Sequence, residues 1–172
     1  MKNILIACIA LIASANIAMA QSSEKFYLGP GFGFDYGGIG VKAEFLPVKN
    51  VGIFGGLGYN LASLGWNIGA DYRITPDKKI CPNLIAMYGY NGVLQLKGSS
   101  GSIVETHTSH SITFGAGIDV KVGQKGNKIS IYLLIPIRSS EFMDVYNFYK
   151  DAGAIERELM PIGISIGYNF AL

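Results

Sequence analysis

Nine consecutive positions near the end of the chain, Ile162 to Phe170, alternate between large apolar residues (Ile162, Ile164, Ile166, Tyr168, Phe170) and small or polar ones (Gly163, Ser165, Gly167, Asn169). A side-chain period of two marks a β-strand, because successive Cβ atoms point to opposite faces. The pattern recurs over residues 26–36, 38–46, 51–60, 64–74, 84–96, 111–122 and 129–138, and with 161–170 it gives eight segments. Most have the roughly 9–11 residues that a tilted strand needs to cross a bilayer. The constraint this places on the fold lies in what the two faces carry.

One face is large, apolar and uncharged: Phe26, Leu28, Phe32 and Phe34 in the first segment, Ile129, Ile131, Leu133, Ile135 and Ile137 in the seventh. The other carries Asp35, Lys42, Glu44, Asp71, Arg73, Asp119, Lys121 and Arg138 among many of the chain's 23 glycines, four charges of each sign. An eight-stranded barrel has an interior just wide enough for one filling of side chains. The bulky face cannot be accommodated there, so it points outward. In water it would form an apolar patch far beyond the few hundred Å² normal for a monomer. In lipid it is at home, provided the sheet closes and leaves no backbone group unpaired. The expected fold is all-β: an eight-stranded antiparallel up-and-down transmembrane β-barrel. The eight inward charges are expected to pair with one another, because unpaired buried charges are costly. That network would close the lumen.

The connections agree with this layout. "PVKN", "TPDKKICP" and "GQKGNK" are short and turn-like, whereas the stretches 97–110 and 139–160 are long and fall on the opposite end. Loops on that end are expected near 36–38, 60–64, 97–110 and 139–160, with both termini at the short-turn end. Within the fifth segment both faces are apolar and Gly92 marks an expected bulge. Pro30 and Pro136 each lack a ladder donor, so bulges are expected there too.

The chain opens with Lys2, an apolar run from Ile4 to Ala13, and Ala18-Met19-Ala20 in a small-x-small pattern. Residues 1–20 therefore read as a cleaved export signal, leaving a barrel domain over 21–172 that starts at Gln21. A lipid-attachment reading of Cys8 is set aside, because seven residues before it leave no room for a charged region plus an apolar core. Cys81 is then the only cysteine, which excludes an intramolecular disulfide and Cys-based metal or redox motifs. The whole chain carries a formal charge of +2, too small for a nucleic-acid partner.

The stretches "GGLGYNLASLGWNIGADYRI", "MYGYNGV" and "LLIPIRSSEF" resemble the Bacteroidetes-type outer-membrane β-barrel family, and the whole layout resembles small OmpA- and OmpX-like barrels. The alternating end of the chain is similar to the strand signal read by the barrel assembly machinery. It carries its aromatic at Phe170 and departs from that signal by adding Ala171 and Leu172. The resemblance implies a bacterial outer-membrane location, with outer-membrane lipid and the assembly machinery as partners and Ile162, Ile164, Ile166, Tyr168 and Phe170 as the assembly strand.

Chemistry-bearing residues are sparse. His107 and His110 lie in the polar stretch "ETHTSHS", which reads as a solvated loop. His107 and Ser109 match only superficially the His-x-Ser pair of the barrel enzyme that deacylates lipid A, whose pair lies near the penultimate strand. Here that strand holds no histidine. Two histidines without a third ligand do not make a metal site. No catalytic residue, cofactor or metal is expected. The remaining candidate is the 139–160 connection, where Phe142, Val145, Tyr146 and Tyr149 recur at i, i+3, i+4 and i+7 and predict a short helix. That stripe either folds over the barrel mouth as a lid or contacts an extracellular protein or glycan. The expected function is structural or surface interaction, without enzymatic activity; the alternatives are passive transport of small or apolar molecules and modification of lipid.

Overall fold

The computed structural model describes residues 26–60, 62–97, 103–152, 155 and 159–172; the expected signal at 1–20 and its cleavage point lie outside them. Eight antiparallel strands close into a barrel in which each pairs with its sequence neighbours and the last returns to the first. They are β1 (Phe26–Gly33), β2 (Gly38–Val48), β3 (Val51–Tyr59), β4 (Leu64–Arg73), β5 (Ile80–Lys97), β6 (Ile103–Val122), β7 (Asn127–Pro136) and β8 (Gly163–Ala171). Closure runs through the pairs Leu28 with Phe170 and Phe32 with Ile166. Beyond them the Leu172 N–H donates to the Phe26 carbonyl at 2.9 Å.

The faces are inverted relative to a water-soluble barrel. Phe32, Ile39, Leu57, Ile68, Leu84, Phe114, Ile135 and Ile164, one from each strand, are exposed on the outside. Lys42, Glu44, Asp71, Arg73, Asp119, Ser130, Ser165 and Asn169 are buried inside. Alternation alone produces this sorting, since each strand can present only one of its two faces to the narrow interior.

Three features depart from the sequence expectation. First, β1 stops at Gly33, and Phe34–Tyr36 forms a single 3-10 turn inside the barrel, so Phe34 is not on the outer face. Second, the expected loop at 97–110 is largely strand: the β5–β6 ladder continues to Lys97 opposite Ile103. The flanking pairings end earlier, at Asn67 with Gly89 and at Thr113 with Pro136. The hairpin therefore projects beyond its neighbours. Its polar composition reflects that position, while the β-branched Ile103, Val104, Thr106 and Thr108 suit a ribbon. Third, the β1–β2 ladder passes Pro30 without a register shift and Pro136 simply ends β7. Shifts occur instead between Phe45 and Val48, around Pro47, and between Tyr90 and Gly92, where the glycine predicted one.

The long connection holds helix α1 (Ser140–Asp151), whose first turn is capped by the Ser139 hydroxyl accepting from the Phe142 N–H at 3.3 Å. Among the described residues no helix is long and apolar enough to cross a membrane, a finding without bearing on crossing by strands.

Candidate functional site

The lumen is the candidate site, and it is filled by two layers of different chemistry. Their floor plan follows from the β1–β2 connection. Gly37 and Gly38 have φ of +70° and +113°, values that L side chains rarely adopt, and they turn the chain back into the barrel. Tyr36 is thereby fully buried. Its ring lies where a Cβ on Gly31 or Gly167 would stand, so those two glycines are the space the tyrosine occupies. The Tyr36 hydroxyl donates to Asn169 Oδ1 at 3.2 Å, and Asn169 Nδ2 donates to Ser130 Oγ at 3.0 Å.

Asp35 enters with Tyr36. One of its oxygens accepts from Lys42 Nζ at 2.5 Å and the other from the Ser165 hydroxyl. The Lys42 ammonium also faces the rings of Tyr36, Phe54 and Tyr132 at 4.7, 5.3 and 5.1 Å from their centroids. Closer to the short turns lies the larger cluster. Glu44 accepts from Arg73 Nη2 at 2.5 Å and from Lys128 Nζ at 2.7 Å. Lys128 also reaches Asp119 Oδ2 at 2.8 Å, and the Tyr132 hydroxyl donates to Asp119 Oδ1 at 3.1 Å. The Tyr27 ring faces Arg73 and Lys128 at 5.2 and 4.5 Å. Asp71 Oδ2 stands 3.5 Å from Arg73 Nε, and neither atom has a hydrogen-bond partner among the described residues.

Toward the other end the interior turns apolar. Phe54, Ile85, Met87, Tyr132 and Leu134 form a cluster against which Phe34 packs. This explains the double apolar face of β5: Ile85 and Met87 point in, while Leu84 and Tyr88 point out. Asn67 ties the inserted turn to the wall by donating to the carbonyls of Phe34 at 2.6 Å and Tyr90 at 2.9 Å.

Of the eight inward charges expected from sequence, Asp35, Lys42, Glu44, Asp71, Arg73 and Asp119 are brought together and two are not. Lys121 sits at the short-turn mouth, and its expected place in the network is taken by Lys128. Sequence reasoning missed Lys128 by assigning it to the turn "GQKGNK"; its period-two register with the inward Ser130 and Tyr132 was the available signal. Arg138 lies beyond the end of β7, donates to the Met160 carbonyl at 2.7 Å, and is pushed below the usual arginine range by its partial burial.

The helix forms where the stripe predicts it, and part of the stripe folds back onto the barrel. Phe142 and Tyr146 are buried against Leu94 of the projecting hairpin, with Val145, Tyr149, Ile155 and Leu159 packed around them. Two of the four residues expected to meet a partner are thus covered, and Phe148, at 69% exposure, is the aromatic that reaches solvent. His107 and His110 lie on β6 rather than in a loop. His110 stacks on Trp66 at 5.7 Å, and His107 joins Asp144, Val145, Phe148 and Tyr149 around a groove of about 370 Å³. Among the described residues no three of His, Cys, Asp and Glu come together as a metal-holding group. No protein-family model matches the chain, and no curated protein matches it.

Proposed function

We propose that this chain is a bacterial outer-membrane protein, exported by a cleaved signal, whose barrel is an anchor rather than a conduit. On this reading its role is non-enzymatic surface interaction. The observation that supports it most is the inversion of faces: exposed bulky apolar residues on all eight strands enclose buried charges and glycines. Lipid is the neighbour such an exterior suits, with the short turns and both termini on the periplasmic side. The interior supports closure over transport, because Tyr36, Tyr132 and Leu134 are buried there together with seven charged residues among the described ones. The part left to meet partners is the projecting hairpin with α1 on it, where Phe148 and the groove beside His107 offer an aromatic surface to protein or glycan.

Membrane fractionation should place the protein with the outer membrane, and its unheated form should migrate on gels as a compact, heat-modifiable band. Replacing the outward Ile131 by Arg should cost about 2–4 kcal/mol if it lies near the bilayer midplane. In planar bilayers the unmutated protein should show no steady conductance. Large stable channels would overturn the closed-anchor reading in favour of transport.

A further inference from the structure

The end of the barrel formed by the short turns holds a feature that the lumen network does not use. Lys121 follows Val120, which pairs with Ile80, and its N–H donates to the Lys79 carbonyl at 2.8 Å. Lys79 and Lys121 are therefore neighbours across the β5–β6 ladder, and both residues line one groove of about 490 Å³ with Asp77, Val122 and Gly123. Like charges facing each other across a ladder destabilise it. Among the described residues neither ammonium has a carboxylate partner, and Asp77, the groove's own carboxylate, is bonded to Lys49 at 3.2 Å. Lys78 and Lys125 are exposed on the same end. The surrounding field is thus positive, in contrast to α1, which carries Glu141, Asp144 and Asp151 against Lys150.

We propose that this groove is an oxyanion site for a phosphate group held between Lys79 and Lys121. Two lysines on adjacent strands of one groove supply the positive charge that a phosphate needs, and each ammonium can donate to a different oxygen. The ligand stops at the mouth. Inward of it the recess bounded by Tyr27, Arg73, Cys81, Asp119, Lys121 and Lys128 has only about 10 Å³, room for about one water. The phosphate can come from a lipid headgroup or from a soluble phosphate, and the two sources separate by experiment.

The test uses the full barrel folded in detergent, with Lys79→Gln, Lys121→Gln and the double variant, each checked for compact gel migration. Titration with inorganic phosphate should be saturable and should raise the melting temperature. The double variant should bind roughly tenfold more weakly or worse, as expected for losing charge-assisted donors. Lys125→Gln should bind as the parent does. Without phosphate, Lys121→Gln should melt no lower than the parent, because it removes a repulsion; a purely structural role for Lys121 would lower it. A second arm reconstitutes the protein in vesicles of phosphatidylcholine with or without phosphatidylglycerol. Headgroup binding shows as retained phosphatidylglycerol that the double variant loses, and a soluble source shows as phosphate binding without that retention. Either outcome supports the site. If phosphate and phosphatidylglycerol both bind parent and double variant equally, the site does not exist. The detergent arm does not depend on the outer-membrane reading, so its failure leaves that reading standing.

Discussion

The two halves of the lumen fill the same narrow cylinder by opposite means. Near the short turns, Glu44 and Asp119 hold Arg73 and Lys128 in a desolvated network, with Tyr27 lying over both cations. Elsewhere in the lumen Phe34, Phe54, Ile85, Met87, Tyr132 and Leu134 pack as an apolar cluster, and Phe142 and Tyr146 close on Leu94. When one group of a packed apolar layer shrinks, the loss is limited to the extent that its neighbours collapse into the cavity. An ionic layer is less tolerant, because removing a shared carboxylate leaves buried cations short of a partner. Lys42 joins the halves, since it pairs with Asp35 while lying over Tyr36, Phe54 and Tyr132.

The contrast is open to direct attack by equilibrium unfolding of the barrel refolded in vesicles. The largest effect should come from Glu44→Ala, which strips the shared acceptor from Arg73 and Lys128 and should cost about 3–5 kcal/mol. Leu134→Ala, at a fully buried site in the apolar half, should cost about 2–5 kcal/mol and fall below Glu44→Ala, as Phe34 can move toward the cavity. Should Leu134→Ala prove the more damaging of the two, the ionic half is not the less tolerant one. Gly167→Ala places a Cβ on the Tyr36 ring and should cost about 1–3 kcal/mol by overpacking. Pairing it with Tyr36→Phe leaves that cost in place, because the ring, not the hydroxyl alone, occupies the space. The smallest change belongs to Asp77→Asn at the exposed pair with Lys49, within about 0–1 kcal/mol. A larger loss there would mean that this turn is far more ordered than its exposure implies.

How much of this was legible depended on the kind of question. Strand number and the choice of outer face could be read from alternation, because eight apolar faces have too much volume for the interior. Six of the network's charges could be read in the same way, each lying on the inward register of its segment, although Asp35 stands past the end of β1 in the fold. Lys128 and Lys121 changed places because alternation tells which face a residue takes and not how deep it lies. Lys121 is on the inward register too, yet it stands at the mouth. For the helix, the spacing of Phe142, Val145, Tyr146 and Tyr149 predicted the element correctly. It could not say that the cover for that stripe would be Leu94, because the polar stretch around His107 reads as loop until its ladder to β5 is in view.

The amino-acid sequence by itself therefore determined that a period-two chain with bulky residues on one face and glycine and charge on the other becomes an inverted eight-stranded barrel. Only the tertiary structure decided that Phe34–Tyr36 turns inward to plug it, that Lys128 completes the ion network, and that the β5–β6 hairpin outgrows its neighbours to receive α1. The physical reason is common to all three. Side-chain alternation is a local property of each strand, whereas depth along the barrel axis is set by the stagger between strands and by where each partner stops pairing, which only closure of the whole sheet specifies.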